Sequence, residues 1–303
     1  MSVVSASSAQ PIIRDVSDDA IGVAGWLSVA YLAVMTWPMW LHLRTTGAIA
    51  PFGLHAAALA VGLVALLAHR TALAPARDWL PLIVGPVMYV ELRWIIEAIG
   101  GVHHDALVIA WERAVFPSNP SATLAPRLHS LPLSELLHLA YASYYALVYV
   151  PPLVLYARGA RRAFAATMLS LTLVYGTCFV VYALFPVDGP RYLVGAAGAP
   201  DGPVRTFVLA LLAQGSSRGT AFPSSHVAAS IVSALCALQF QPKLGMVVAA
   251  LASLLAVATV YGGFHYAVDG VAGVFLGILA WLGSQILWRL LGSRGAQTAT
   301  AAQ

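Results

Sequence analysis

Long apolar stretches dominate the hydrophobic pattern of the chain. A membrane-spanning helix needs about 20 mostly apolar residues. Eight stretches approach or meet that length, and they cover roughly residues 21–43, 53–69, 79–100, 133–157, 163–185, 223–240, 244–262 and 265–291. The second and sixth stretches are short and the third carries charges, so the pattern predicts about eight spans, with seven or eight as the range, in an all-α polytopic bundle.

The segments between and beyond these stretches complete the predicted organisation. Residues 1–20 are polar and are predicted to form a disordered tail, as are residues 292–303, which leaves 21–291 as a single membrane domain. A secretory signal would begin with basic residues followed at once by an apolar core. Here Asp15, Asp18 and Asp19 precede the first apolar stretch, so that stretch is expected to be a retained helix.

Two long connections, residues 101–132 and 186–222, each contain a segment with helical periodicity. In the first, apolar side chains recur at helical spacing while Asp105 and Glu112 lie elsewhere on the helical wheel. This pattern is typical of a helix that lies in the membrane interface. The apolar positions are Leu107, Val108, Trp111, Ala114 and Val115. Residues 203–213 predict a second helix of this kind.

Composition confirms the membrane class and excludes the soluble one. Of the 303 residues, 60% are hydrophobic and 9% are charged, and the mean hydropathy is +0.80. Soluble domains carry about a quarter charged residues, and disordered chains are polar. The net charge of +4 therefore indicates loop arginines of a membrane protein rather than nucleic-acid binding. Arginine supplies all the basic residues except Lys243, a bias typical of GC-rich bacterial genomes, so a bacterial inner membrane is expected.

The distribution of basic residues predicts the orientation. With eight helices both termini share one side, which holds nine Arg and Lys residues against six on the other. Cytoplasmic loops carry the excess of positive charge. The termini are therefore expected in the cytoplasm and the two long connections outside.

Three polar clusters follow or begin predicted spans, and the topology places all three on the outer side. The first is residues 185–192, Phe-Pro-Val-Asp-Gly-Pro-Arg-Tyr; the second is residues 222–226, Phe-Pro-Ser-Ser-His; the third is residues 265–269, His-Tyr-Ala-Val-Asp. Ionisable side chains at membrane depth are costly, which makes them candidates for function. A single cluster of this kind is often only structural, but three on one membrane side form a more specific signal.

The second and third clusters have the chemistry of phosphate handling. Ser224 or Ser225 can cap the helix that begins there, and a helix N-terminus favours a phosphate. His226 lies beside it, where it could donate a proton. His265 and Asp269 are four residues apart and share a helical face, so the carboxylate can orient the ring and leave the other nitrogen as base or nucleophile. Arg191 would complete the phosphate cradle.

The sequence Phe222-Pro223-Ser224-Ser225-His226 followed by His265-Tyr266-x-x-Asp269 resembles the type 2 phosphatidic acid phosphatase superfamily over roughly residues 85–285, most strongly over 185–285. The resemblance implies phosphoryl transfer through a phosphohistidine in a helical bundle. It implies that His265 is the nucleophile, Asp269 its orienting partner and His226 the general acid. Ser225 and Arg191 would bind the phosphate, with Ser224 beside them.

Departures from the superfamily pattern indicate a branch. Leu184 and Thr259 stand where the pattern has Lys and Arg, and Tyr192 replaces Pro. This variant resembles the branch that contains inositol phosphorylceramide synthase, as do, less specifically, residues 89–93 and 135–145. Arg218 could fold back towards the phosphate and restore one of the missing charges.

Further polar residues lie near the outer ends of the third and fourth spans. Either they form an ion pair and a packing stripe, or they form a headgroup-binding wall that faces the catalytic cluster. They are Arg93, Glu97, Glu135, His138, Tyr141 and Tyr145. Cys178 and Cys236 lie in apolar runs and cannot form a disulfide framework, no spacing indicates a metal site, and the chemistry needs no cofactor.

The sequence favours a lipid phosphotransferase that moves a phosphoryl group or phospho-headgroup from a membrane phospholipid to an alcohol. A phosphatase acting on lipid phosphate monoesters, with water as the acceptor, is the alternative. A transporter or channel is the remote third hypothesis, because transporters often show internal repeats and helices broken near mid-membrane, whereas no repeat is visible here and the polar clusters lie at helix ends.

Overall fold

The computed structural model describes residues 16–67, 72–193 and 198–301, with side chains as far as residue 293. Within those ranges every regular element is a helix, as the hydrophobic pattern predicts. The helices are α1 (Val16–Thr46), α2 (Ile49–Leu67), α3 (Ala74–Ala98), α4 (Asp105–Val115), α5 (Pro120–Arg127), α6 (Leu131–Ala142), α7 (Tyr144–Ala157), α8 (Arg161–Leu184), α9 (Pro190–Leu193), α10 (Pro203–Gly215), α11 (Ser225–Phe240), α12 (Pro242–Tyr261) and α13 (Ala267–Ala301).

Six of the described helices, α1, α2, α3, α8, α12 and α13, are long and apolar enough to cross a membrane. The predicted fourth span is broken by 44° between α6 and α7 and would be a seventh. The predicted sixth span is α11, which has 16 residues and at 1.5 Å per residue is about 24 Å long. That is shorter than the roughly 30 Å hydrocarbon layer, so by length and composition the described residues give six or seven candidate spans. The chain is a multi-pass membrane protein.

The predicted tails differ from the structure at both ends. Helix α1 begins at Val16, five residues before the apolar stretch. Its first turn carries Asp18 and Asp19, and acidic side chains stabilise a helix N-terminus through the helix dipole. The rest of that tail, residues 1–15, lies outside the described residues. Residues 292–301 continue α13, because no proline interrupts them.

Two packed groups of helices build the bundle. Helix α1 packs on α2, α3 and α8, while α11 packs on α12, α13 and α8. Helix α8 therefore joins the two groups, and it buries large side chains such as Phe164, Phe179 and Tyr182. Glycine permits the close approach of α13 to the start of α11, since a Cβ at Gly273 would lie 2.6 Å from the Ser224 carbonyl oxygen.

This packing brings the three polar clusters to one end of the bundle. Helix α8 ends at Leu184, while α11 begins at Ser225 and α13 begins at Ala267. A backbone bridge between Val187 and Thr220 ties the first cluster to the second: the Val187 amide donates to Gly219 at 3.2 Å, and the Ala221 amide donates to Val187 at 2.8 Å.

Candidate active site

His265 is buried at the centre of this end, and its hydrogen bonds fix its tautomer. Nδ1 lies 2.9 Å from the Ala221 carbonyl oxygen, which can only accept, so Nδ1 carries the proton in the neutral ring. Nε2 then has a free lone pair. The His265 amide also donates to the Thr259 carbonyl at 3.1 Å. The ring is therefore held in the form that a nucleophile or base requires.

Asp269 supports His265 from the first turn of α13. Its Oδ2 accepts the Tyr266 amide at 2.8 Å and lies 3.5 Å from His265 Nδ1. The carboxylate is fully buried. The carbonyl of Ala221 is thus the nearer acceptor for Nδ1, and Asp269 acts as a negative charge beside the ring and as the cap of its own helix.

His226 faces His265 across the site from the first turn of α11. The two ring centroids are 6.1 Å apart. The ring lies between Tyr144, with centroids 4.3 Å apart, and Tyr141, whose hydroxyl is 3.4 Å from Nε2. Two imidazoles thus flank one small space, an arrangement that can attack an atom and protonate a leaving group on it.

The two serines of the second cluster have different surroundings. Ser224 is the N-cap of α11, and its hydroxyl accepts the Val227 amide at 3.4 Å. The Ser225 amide donates to the Tyr182 hydroxyl at 2.9 Å, which in turn donates to the Pro223 carbonyl at 2.7 Å. The buried phenol of Tyr182 therefore fixes the start of α11, where both serines lie.

Arg191 lines the same cavity as the two histidines. The cavity, called here the catalytic pocket, holds about 40 Å³. Its wall is formed by Tyr89, Tyr141, Asp188, Arg191, Tyr192, Leu212, Ser216, Ser217, Thr220, Ala221, His226, Phe264 and His265. Among the residues that the structure describes, Arg191 is the only arginine or lysine on this wall. Its guanidinium lies 3.3 Å from the Leu212 carbonyl and 5.5 Å from the centre of the Tyr192 ring.

The two positions where the superfamily pattern has cations do not face this pocket. Leu184 is 74% exposed at the end of α8. Thr259 is fully buried, and its hydroxyl donates to the Ala256 carbonyl at 2.7 Å.

Arg218 is held by Asp188 instead of reaching a phosphate. Its guanidinium donates to Asp188 Oδ2 at 2.5 and 3.2 Å, and this hydrogen bond raises the pKa of Arg218 above its ordinary value. Asp188 Oδ1 accepts the Gly219 amide at 3.0 Å and lies 2.9 Å from His103 Nδ1. The charge of Arg218 is therefore balanced by a neighbouring carboxylate.

His103, Asp105 and Asp188 could together offer three ligand atoms to a metal ion, since these atoms lie within 4.8 Å of one another. Both Asp105 oxygens, however, accept backbone amides, and Asp188 binds Arg218 and the Gly219 amide. The Arg218 guanidinium, at hydrogen-bond distance from Asp188, lies where a metal ion would have to bind that carboxylate. The cluster therefore works as an ion-pair network.

Helix α4 contacts all three clusters, which the sequence did not reveal. Asp105 accepts the amides of Asp188 and Gly189 at 3.0 and 2.9 Å. Glu112 accepts the amides of Ala267 and Val268 at 3.1 and 2.9 Å. Both acids are buried. The sequence feature that could have indicated this role is their spacing of seven residues, which puts both acids on one helical face.

Tyr141 and Tyr145 of the predicted wall line an apolar groove beside the catalytic pocket. The groove holds about 190 Å³ and shares Tyr89, Tyr141, Leu212, Ser216 and His226 with that pocket. Pro81, Gly85 and Pro86 of α3 form its far side. Tyr145 is 56% exposed, so the groove is open at the outer surface of the helical bundle.

Glu135 and His138 have other partners in the structure. The Glu135 carboxylate accepts the amides of Val204 and Arg205 at 2.9 and 3.0 Å, which caps helix α10. His138 is buried, and its Nδ1 donates to the Ser134 carbonyl at 2.6 Å. The two side chains shape the site through helix packing.

Arg93 and Glu97 line an open polar cleft of about 660 Å³ that adjoins the catalytic pocket. His103 and Arg218 also line it, and Asp188 and Ser216 belong to both cavities. Arg93 reaches the Ser216 carbonyl at 3.5 Å. The catalytic pocket thus adjoins one apolar cavity and one cavity with charged residues in its wall.

Tyr89 and Thr220 also line the catalytic pocket, with their hydroxyls 3.2 Å apart. Neither residue stands out as a candidate in the sequence, because a tyrosine within an apolar helix and a threonine in a loop are common.

A family model described as the PAP2 superfamily matches residues 106–283. The matched range includes all three polar clusters, the helices α5 to α12 and about the first half of α13. No curated protein and no solved structure matches the chain.

Proposed function

Because the chain belongs to the PAP2 superfamily, and so to enzymes of the lipid phosphate phosphatase or phosphotransferase type, we propose that it is a phosphotransferase that takes a phosphodiester lipid as donor and an alcohol as acceptor. The reaction occurs at His265, His226, Asp269 and Arg191. Ser224 and Ser225 form the start of the helix that carries His226.

The charge of the catalytic pocket carries the choice of a diester. Arg191 is the one arginine or lysine that the described residues place on its wall. A phosphomonoester carries close to two negative charges at neutral pH, and a diester carries one. Each charge-assisted contact to a phosphate contributes about 1.5–3 kcal/mol, so a pocket with one guanidinium favours the monoanion.

The two histidines divide the chemistry. His265 Nε2 attacks phosphorus and forms a P–N bond, while the ester P–O bond on the opposite side breaks. His226 gives a proton to the departing oxygen, and the bound phosphate anion next to it favours the protonated form of the buried ring. An acceptor hydroxyl then returns a proton to His226 and attacks phosphorus, and the P–N bond breaks. Asp269 stabilises the positive charge that His265 gains while it is bound to phosphorus.

The neighbouring cavities provide places for the two arms of a diester. The apolar groove next to Tyr141 and His226 suits acyl chains, because its apolar lining can contact them in place of the surrounding lipid tails. The polar cleft with Arg93 and Glu97 suits a hydroxylated headgroup or acceptor. A phosphomonoester would leave this cleft without a ligand group.

The phosphatase remains the second candidate, since the superfamily supports either reaction. The active site is proposed to lie on the extracytoplasmic side of a bacterial inner membrane, on the basis of the Arg and Lys distribution between the loops.

A comparison of monoester and diester lipids on one purified preparation tests the proposal. Mass spectrometry would follow both free phosphate and transferred headgroup, with and without added polyols or long-chain alcohols. We expect headgroup transfer from diesters that requires an alcohol and is lost in His265→Ala. Faster release of phosphate from monoesters than any transfer would establish the phosphatase instead.

A further inference from the structure

Helix α4 touches each of the three catalytic clusters, and none of its residues lines the catalytic pocket. Asp105 binds two backbone amides just before Arg191. Glu112 binds two amides just after His265. The Trp111 ring packs against the first residue of the first cluster and of the second cluster. Its centroid lies 6.0 Å from that of Phe185 and 5.5 Å from that of Phe222.

The acidic residues of α4 are buried and most of its apolar residues are exposed, which is the reverse of what is expected for an interfacial helix. Asp105, Val108 and Glu112 are the buried residues of this helix. The apolar side chains of Leu107, Trp111 and Val115 are 44, 38 and 63% exposed. Burial of a carboxylate is costly unless hydrogen bonds satisfy it, and here each acid is satisfied by two amides of a catalytic segment.

We propose that α4 is a positioning helix, and that Asp105 and Glu112 are positioning residues that set the distance between Arg191 and His265 without touching substrate. Glu112 holds the N-terminus of α13, which carries Asp269 in its first turn. Asp105 holds the turn at Gly189, whose φ of +83° favours glycine. One rigid helix with both acids on one face therefore fixes two segments that are about eighty residues apart in sequence.

Loss of this positioning should slow catalysis, because the rate of phosphoryl transfer is sensitive to the placement of the reacting groups. A shift of about 1 Å in a reacting group costs on the order of 100-fold in rate. Loss of the Glu112 carboxylate would leave two amides next to His265 without their partner and release the start of α13. The chemical step should slow while the substrate pockets, built by other helices, keep their affinity.

The test compares Glu112→Ala, Glu112→Gln and wild type in two measurements. Hydrogen exchange followed by mass spectrometry reports the amides of residues 262–270 and 186–192, and it does not rest on the proposed function. The kinetic measurement, which does, reports kcat and KM separately. We expect faster exchange confined to residues 262–270 and a kcat about 100-fold lower in Glu112→Ala, with KM within about threefold. Glu112→Gln should recover part of kcat, since an amide oxygen can still accept.

Two further variants serve as controls. Arg113→Ala changes an exposed residue of the same helix and should leave exchange and kcat as in wild type. Glu135→Ala removes a carboxylate that caps α10 in the same two-amide manner. The proposal is overturned if exchange at residues 262–270 is unchanged in Glu112→Ala. It is also overturned if Glu112→Ala raises exchange throughout the chain. A third contrary result is that Glu135→Ala lowers kcat as much as Glu112→Ala does, when both variants lose the same amount of melting temperature.

Discussion

At the scale of single residues, the orientation of His265 depends on a backbone carbonyl more than on a carboxylate. Ala221 O is 2.9 Å from Nδ1 and Asp269 Oδ2 is 3.5 Å away. The carbonyl fixes the neutral tautomer, whereas the carboxylate becomes important only once the ring gains positive charge. The two partners therefore act at different stages of the proposed reaction.

This division predicts different effects for two substitutions. His265→Ala should abolish turnover, because the P–N bond cannot form. Asp269→Asn should keep the fold, since the amide oxygen still accepts the Tyr266 amide, but should lower kcat by roughly 10²–10³-fold, the range for loss of one electrostatic contact to the transition state. The measurement is turnover of purified, monodisperse protein in detergent or lipid. Activity of His265→Ala near that of wild type would contradict the mechanism.

Arg191 should determine the affinity for phosphate analogues. Orthovanadate can take the five-coordinate geometry of phosphorus between His265 and the start of α11, so we expect it to inhibit. Arg191→Ala should weaken inhibition about tenfold or more, because a charge-assisted contact contributes about 1.5–3 kcal/mol. Inhibition curves at subsaturating substrate provide the check. Complete insensitivity of the wild type to vanadate would argue against a phosphoryl-transfer site.

The sequence singled out the two histidines and the arginine of the catalytic pocket but not the residues that hold them in place. His226, His265 and Arg191 could be found because they carry chemistry at helix ends. Glu112 and Glu135 could not be assigned, because a cap between two distant helices depends on tertiary packing, and the same acidic side chain equally fits a headgroup wall. Tyr182, which fixes the start of α11, gives no signal within an apolar helix.

At the scale of helices, the cap of α10 shows how closely a carboxylate and a glycine can be matched. A Cβ at Gly202 would lie 2.4 Å from Cδ of Glu135, while that carboxylate accepts the amides of Val204 and Arg205. Gly202 therefore leaves the space through which Glu135 reaches the helix end.

A double-mutant cycle tests this match. Gly202→Ala and Glu135→Ala should each destabilise the protein by about 0.5–2 kcal/mol, the usual effect of losing a cap. The double variant should lose much less than the sum, because the methyl group at position 202 does no harm once the carboxylate is gone. Thermal unfolding in detergent reports the three values. Additive losses would mean that the two residues act independently.

Helix α11 shows why the number of spans could not be settled from hydrophobicity alone. Its apolar stretch begins in the sequence at Pro223, but the helix begins at Ser225 and ends at Phe240. With 16 residues it is shorter than a usual membrane span, yet it packs on α8, α12 and α13. Apolar residues can serve protein packing or contact with lipid, and the sequence pattern does not distinguish the two.

At the scale of the whole molecule, the bundle has a catalytic end and an opposite end. Residue Val102 lies at the catalytic end, where the neighbouring His104 amide donates to the Pro186 carbonyl at 2.9 Å. Residue Arg158 lies at the other end of α8, three residues before that helix begins. Val102 is 73% exposed and Arg158 is also exposed. These two positions can therefore report which end faces the outside of the cell.

The orientation prediction is that Val102→Cys is labelled by a membrane-impermeant thiol reagent in intact cells, while Arg158→Cys is labelled only after the membrane is permeabilised. The reason is the excess of Arg and Lys on the side of Arg158, which is retained in the cytoplasm. Both variants belong in a background with Cys178→Ala and Cys236→Ala, although the two native thiols are buried. Neighbouring Gly159 is a poorer reporter, since its φ of +65° would strain a cysteine. Labelling of position 158 but not of position 102 in intact cells would reverse the orientation and place the lipid substrate in the cytoplasmic leaflet.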